Sequence, residues 1–471
     1  MQRRDFLGLT GALALSPLLA PLLPSVLRAE DAPGHVLKAA PAQAKLMGAD
    51  KPATPVWSFG GQSPGPLIRI PRAKPVHIRV ENGLAEPTSV HWHGIRIENA
   101  MDGVSGFTQP PVGPGESFDY RFTSPDAGTY WYHSHHKSWE QVGRGLYGVL
   151  IVEEDEPLAI DHDLVFLADD WRLDENGAIA ENFGNLHDAM HGGRLGNWLT
   201  VNGDTKPSFT VRPGARVRLR LISAANARIM AFAFPGLSPW IVAIDGQPLE
   251  NPEPLKEAIE LGSAQRADLI VDIPAAPGTS LDILEVSVGE PINAASFVIQ
   301  GAAVRAQPLS GPLVLPSNPL AAQIPDIASA QHAELLMEGG AMGAMTGARY
   351  QGQMFDMRTL ALEKGQGWAM NGDAGRTDTP LATVSRGQTL TVNMINDTRW
   401  PHAMHLHGHH FKVIERNGKP VSGAPWRDTE IVEVGEKVRF AFVADNPGKW
   451  LFHCHMLEHH MAGMGTWIDV A

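Results

Sequence analysis

The sequence predicts an all-β protein made of three sandwich- or barrel-like domains, and three observations lead there. The chain has 471 residues, about three times the ~150 of an average domain. Its apolar residues alternate with polar ones in short runs separated by turns drawn from 48 Gly and 37 Pro, and a period of two marks half-buried strands. One pattern of lead-in and strand also recurs three times, as an internal repeat would.

Residues 1–29 come first and stand apart. Arg3-Arg4-Asp5-Phe6-Leu7 opens an apolar run that reaches Leu23, is broken by Gly8, Gly11, Ser16, Pro17 and Pro21, and ends near Leu27-Arg28-Ala29. This layout is that of a cleavable export signal similar to the twin-arginine type, with Gln2 where Ser or Thr is usual. The prolines disfavour the alternative of a membrane anchor, and no later stretch offers ~18 continuous apolar residues. Cleavage near Ala29 would deliver a soluble chain to a bacterial periplasm, and a monomer is expected.

The three strands of the repeat are Pro75-Val76-His77-Ile78-Arg79-Val80, Ala215-Arg216-Val217-Arg218-Leu219-Arg220-Leu221 and Gln388-Thr389-Leu390-Thr391-Val392-Asn393-Met394. Their lead-ins begin at Gly65, Lys206 and Thr379. Domains are therefore expected over 30–155, 156–305 and 306–471, the last opening on a Pro-rich linker from Pro308 to Pro325. The formal charge of -13, with 51 acids against 38 bases and no block of five like charges, excludes the footprint of a nucleic-acid binder.

The first and third copies share more than strands. His91-Trp92-His93-Gly94 matches His405-Leu406-His407-Gly408, and His133-Ser134-His135 matches His453-Cys454-His455. The middle copy has no His-x-His pair. Residues i and i+2 of a strand face one way, so each pair presents two imidazoles side by side. Eight clustered imidazoles need buried partners and repel one another when protonated; metal ions resolve both difficulties.

Cys454 is the chain's one cysteine, so it makes no intramolecular disulfide. If His453 and His455 face one way, Cys454 faces the other, where it could meet His459 and Met464 from the following loop. With a second histidine, such as His402, these side chains would form the trigonal His2Cys site with an axial thioether that suits blue copper. A core methionine is the alternative for Met464.

These four segments resemble the copper-binding signatures of the multicopper oxidases, and the nearest-looking groups are bacterial laccases and periplasmic copper-efflux oxidases. The resemblance covers the chain beyond the signal. It implies three cupredoxin-like Greek-key domains and four coppers. His402, Cys454, His459 and Met464 would hold the type 1 copper, and His91 and His405 the type 2. His93, His133 and His455 would hold one type 3 copper, with His135, His407 and His453 holding the other. His136, His409, His410 and His460 are expected in supporting or solvent-facing places.

The implied reaction takes single electrons from phenols, aromatic amines or Cu(I) and reduces dioxygen to water, with Cys454 linking the two copper sites. Asp102 matches a carboxylate the family uses near the cluster, although a plain turn aspartate before Gly103 is an alternative. Many efflux oxidases carry a carboxylate directly after the last type 1 histidine, where this chain has His460, so Glu458 is the candidate substitute. Met337, Met342, Met345, Met354 and Met357 form a stretch that could gather soft Cu(I), as a copper-homeostasis role would need, or could simply cover apolar surface. Before His402 stand Thr398-Arg399-Trp400-Pro401, in place of the Asp and Met that efflux oxidases tend to carry. A copper-free structural relative is disfavoured because all twelve ligand positions are kept.

Overall fold

The computed structural model describes residues 34–274, 276–307, 309 and 311–471; the export segment and Pro308 lie outside the described residues. Apart from the hairpin of Gly347–Tyr350 and Gln353–Asp356, the described strands form three pairs of facing sheets. Each pair encloses its own apolar core, as two-layer β-architectures do, and each is a cupredoxin-like unit. In the first, Leu37, Ile68, Ile78, Val80, Tyr120 and Leu150 meet between the sheets.

The repeat seen in sequence is a repeat of topology. Strands Pro75–Asn82, Arg216–Ser223 and Thr389–Asn396 each lie parallel to the first long strand of their unit, at His35–Ala44, His162–Trp171 and Gln331–Gly339. The lead-in strands Gly65–Pro71, Ser208–Val211 and Ala382–Val384 each lie parallel to the last strand of the opposite sheet. The sheets are thus mixed, these pairs being parallel among otherwise antiparallel neighbours such as Pro75–Asn82 and Ser117–Thr123. Parallel neighbours require a long crossover, and here the chain supplies it by passing through the facing sheet.

Alternation misleads at Arg216–Ser223, where every residue is buried. Val217, Leu219 and Leu221 fill the core of the middle unit. The arginine face packs inward as well: Arg218 donates to Asp268 and Glu154 at 2.6 Å, and Arg220 donates to Asp163 at 2.6 Å and to Thr129 Oγ1 at 2.8 Å. Buried guanidinium groups persist because each is paired; stranding one typically costs about 3–5 kcal/mol.

Two single-turn helices lie where the units meet. Leu186–Met190 belongs to the middle unit and Leu457–Met461 follows the His453-Cys454-His455 strand. In the first unit His91 pairs directly with His133, and in the third His405 pairs with His453. Cross-strand neighbours share a face, so the two long sequence spacings collapse into two adjacent patches of imidazole.

Gly103 secures one of these patches. At φ +85° a Cβ there would lie 1.8 Å from the carbonyl oxygen of Val90, whereas Gly106, at φ +70°, has open space around it. Gly106→Ala therefore pays only the left-handed backbone cost of about 1–2 kcal/mol. Gly103→Ala must also displace the strand Val90–His93 and should lower the thermal midpoint markedly more. Equal melting curves for the two variants would contradict this.

Candidate metal centres

The strands Val90–His93 and Gly128–Ser134 bring His91, His93, His133 and His135 to the edge of the first unit. His402–Leu406 and Gly448–Cys454 bring His405, His407, His453 and His455 to the facing edge of the third. The two sets interleave. His93 stacks on His405 at 3.8 Å between ring centroids and His91 lies 4.0 Å from His407. His133 and His455 are 5.1 Å apart, and His135 and His453 are 5.5 Å apart.

Hydrogen bonds on one nitrogen of seven of these rings leave the other as a bare lone pair. His91 Nδ1–H donates to the Asp102 carbonyl at 2.7 Å, and His405 Nδ1–H to the Asp428 carbonyl at 3.0 Å. Both Nε2 atoms are buried without a partner, as is Nδ1 of His93, whose Nε2–H donates to Asp428 Oδ1 at 3.1 Å. His407 Nδ1–H reaches the Asp102 carboxylate at 3.0 Å and His453 Nδ1–H the Cys454 carbonyl at 2.8 Å. Their Nε2 atoms then face each other at 3.1 Å. His133 donates from Nδ1 to the Ser134 carbonyl at 3.0 Å. The Ser263 hydroxyl donates to Ala225 O and accepts from His455 Nδ1 at 3.0 Å, so Nε2 of His133 and Nε2 of His455 also meet as lone pairs, at 3.4 Å. Opposed lone pairs and orphaned acceptors in a dry site call for cations, and imidazole suits copper. The donor set fits the metal.

Donor atoms of His135, His407 and His453 come within 4.8 Å of one another, as do those of His91, His93 and His133 and those of His91, His405 and His407. His93, His405 and Asp428 also meet this spacing, but Asp428 is taken by Arg266, whose Nη1 and Nη2 donate to its two oxygens at 2.9 and 2.6 Å. Burial alone would raise the Asp428 carboxyl; Arg266 and the neighbouring imidazoles outweigh it and hold the group well below the usual carboxylate range.

A second group lies on the other face of the Cys454 strand. Sγ of Cys454 is 3.7 Å from Nδ1 of His402 and 3.7 Å from Nδ1 of His459, and these nitrogens are 3.2 Å apart. Again the far nitrogens are tied: His402 Nε2–H donates to Thr398 Oγ1 at 2.9 Å and His459 Nε2–H to the His191 carbonyl at 2.6 Å. Burial pushes the thiol up to about 12, so a metal must displace its proton for it to bind as thiolate. Met464 is fully buried, and its carbonyl accepts from the Cys454 amide at 3.1 Å, which closes the loop back onto Cys454.

Of the two candidate carboxylates, Asp102 lies between His91 and His407, its Oδ1 3.2 Å from the first ring and 3.0 Å from the second. Glu458 is not against the imidazoles. Its oxygens accept from Asn226 Nδ2 at 2.9 Å and from the Arg194 amide at 3.1 Å, and burial raises its pKa. His460 stacks on His453 at 4.2 Å and also approaches His135. Met337 is buried in the core of the third unit, so it is no part of a solvent-facing thioether stretch; Met342 and Met354 are exposed. Sequence reasoning missed Asp428, Arg266, Ser263, Thr398 and the His191 carbonyl, since none belongs to a spaced motif.

Burial pushes His409, His410, His459 and His460 down to about 4 from an ordinary 6.5. Below pH 6.5 the unfolded chain therefore binds protons that the folded chain refuses, and stability falls as pH falls until about 4. Each such imidazole contributes up to ~1.4 kcal/mol per pH unit. The melting temperature of copper-stripped protein should drop steeply from pH 6.5 to 4 and little from pH 8 to 7; a flat profile through the lower window would refute the buried neutral imidazoles.

Comparison with known proteins agrees with this chemistry. Sequence models described as multicopper oxidase match residues 42–157, 162–280 and 351–471. Multicopper oxidase MmcO of Mycobacterium tuberculosis is 32% identical, over 89% of this chain and 84% of its own. Laccase-1 of Botryotinia fuckeliana is 29% identical, over 90% and 80%. The crystal structure of a multi-copper oxidase from Pseudomonas thermotolerans superposes with a TM-score of 0.79 at 34% identity, covering 93% of this chain and 98% of that one. With three buried histidine triads and a His2Cys set on the same fold, the chain belongs to the multicopper oxidase family and is a copper-binding oxidoreductase.

Proposed function

We propose that this oxidase works in the periplasm after export and that its reductant is a cuprous ion in preference to a bulky phenol. The observation that carries the second point is the closure of the Cys454 site. His402 and His459 are fully buried, and the nitrogen by which His459 would meet a substrate is already bonded to the His191 carbonyl. Trp368 lies 4.4 Å from His459 and anchors its indole N–H on the Ala189 carbonyl at 2.7 Å. A substrate stays outside this layer, which suits a small ion giving up one electron at a time. The relative named Copper resistance protein A from Escherichia coli, 23% identical over 86% of this chain, supports a place in copper handling.

The ligands partition as the resemblance implies, with His402, Cys454, His459 and Met464 at one site and the eight paired histidines at the other. Bound copper supplies one-electron acceptance at the first and four-electron reduction of dioxygen to water at the second. The protein's part is to connect and to orient. Cys454 is joined through its backbone to His453 and His455, and the His453 ring adds a hydrogen bond to the Cys454 carbonyl. Asp102 holds the outer nitrogen of His407 and the carbonyl of the same residue holds that of His91, which places one carboxylate where protons for the oxygen chemistry can be handed on.

Cys454→Ser should abolish the blue absorption and the oxidase activity together. Asp102→Ala should keep the blue band and lower copper affinity at the cluster, or oxygen uptake, by roughly 10- to 100-fold, as loss of a group that orients a ligand does. Bleaching by Asp102→Ala would put that residue in the wrong site.

Oxygen uptake measured side by side tests the reductant. Uptake with Cu(I) should exceed uptake with 2,6-dimethoxyphenol at equal concentration. A preference for the phenol would favour a laccase-like role, the reading that the laccase-named relatives support.

A further inference from the structure

The middle unit, which supplies none of the twelve ligand positions, adds the Ala189 and His191 carbonyls to the layer that closes the Cys454 site. It presents two histidines of its own. His187 and His191 stand four residues apart around the turn Leu186–Met190, and their rings stack at 4.2 Å with 27° between planes. Side chains at i and i+4 of a helical turn share one face, the spacing by which helices offer paired imidazoles to a metal. His187 is exposed and His191 half-buried. His191 Nδ1–H donates to the His187 carbonyl at 2.9 Å, which turns its Nε2 lone pair away from the backbone.

Two further contacts make the pair more than a surface coincidence. The carbonyl of His191 is the group that accepts from His459 Nε2–H at 2.6 Å, so a single residue joins the exposed pair to the buried site. Next to it, the Ala341 amide donates to the Met190 carbonyl at 2.7 Å. That bond pins a turn on which Met342 holds φ +65° with 72% of its surface exposed. A non-glycine residue kept in the left-handed region costs energy and tends to mark function. Here the turn carries a thioether into solvent one residue beyond a bond shared with the His191 segment.

Resting on the cuprous reading above, we infer that His187 and His191, with Met342 on the adjoining turn, form the docking site for Cu(I). Two imidazoles and a thioether are a soft, largely uncharged set that favours Cu(I). The docked Cu(I) loses one electron, which passes along the His191 carbonyl and its hydrogen bond to His459 and reduces the Cys454 site. The resulting Cu(II) departs. Four such events, with four protons, convert one dioxygen to two waters and four Cu(I) to four Cu(II).

Anaerobic, fully reduced holoenzyme titrated with Cu(I) against bicinchoninate should take up one cuprous ion beyond its resident coppers. H187A/H191A should weaken that uptake by at least roughly tenfold, the low end of what perturbing a metal's surroundings costs, and raise KM for Cu(I) by a similar factor with the blue band intact. Met342→Leu should have a smaller effect in the same direction. H187Q, altering an exposed ring, carries the same test if the double variant folds poorly. Unchanged affinity and KM in these histidine variants would overturn the docking site and leave the cuprous reading standing. Wild-type enzyme that consumes oxygen with 2,6-dimethoxyphenol but not with Cu(I) would overturn both.

Discussion

The structure depends on lone pairs held against one another in a dry space. Nε2 of His407 meets Nε2 of His453 at 3.1 Å, and Nε2 of His133 meets Nε2 of His455 at 3.4 Å. All eight imidazoles at this edge are buried. Protonation cannot relieve the contact, because burial and the neighbouring rings hold His133, His407, His453 and His455 well below their ordinary range. A multiply charged cation relieves it, and in doing so ties the first unit to the third. The metal sites are therefore also the joint between units, and copper contributes to stability by mass action on the folded state.

The middle unit, without a ligand of its own, fixes the outer nitrogens of His455 and His459 directly and supports those of His93 and His405 through Asp428. Ser263 fixes the tautomer of His455, and Arg266 clamps Asp428, which in turn serves His93 and His405. The His191 carbonyl does the same for His459. Ligating histidines are usually oriented by such partners, and Ser263, Arg266 and the His191 carbonyl come from the domain that had no motif to offer. Its buried arginines make that domain a rigid template. Arg218 and Arg220 fix it to the first unit through Glu154 and Thr129, while Arg266 fixes it to the third.

What could be read from the sequence follows from what repeats. The three parallel-paired strands and their lead-ins were visible because period-two patterning survives wherever one face of a strand is apolar. His-x-His pairs were visible because strand geometry maps i and i+2 to one face. Asp428 and Ser263 were not, since each acts through a contact between distant segments that no local period encodes. Alternation misled at Arg216–Ser223 because a polar face can be buried against another domain as well as turned to water. Glu458 is the candidate substitute for the carboxylate whose place His460 takes, but it lies in the helical turn Leu457–Met461, where its oxygens accept from Asn226 and the Arg194 amide instead.

The Arg266 network shows why the cluster needs such deep support. Arg266 lies between Asp428 and Asp245, at 2.6 and 3.4 Å, and all three are fully buried. One guanidinium cannot neutralise two carboxylates. Burial, then the charge of Asp428, raises Asp245, whereas Asp428, held by Arg266 and by ring N–H groups of His93 and His405, stays ionised. The negative charge is thus concentrated on the residue that faces the imidazoles. An ionised acceptor there makes the hydrogen bond from His93 Nε2–H charge-assisted, which strengthens it and raises the electron density that the ring's free Nδ1 can offer a cation. The same charge in an apolar site would be costly if unpaired, so Arg266 and the cluster cations are both required, one from behind and the other through the rings.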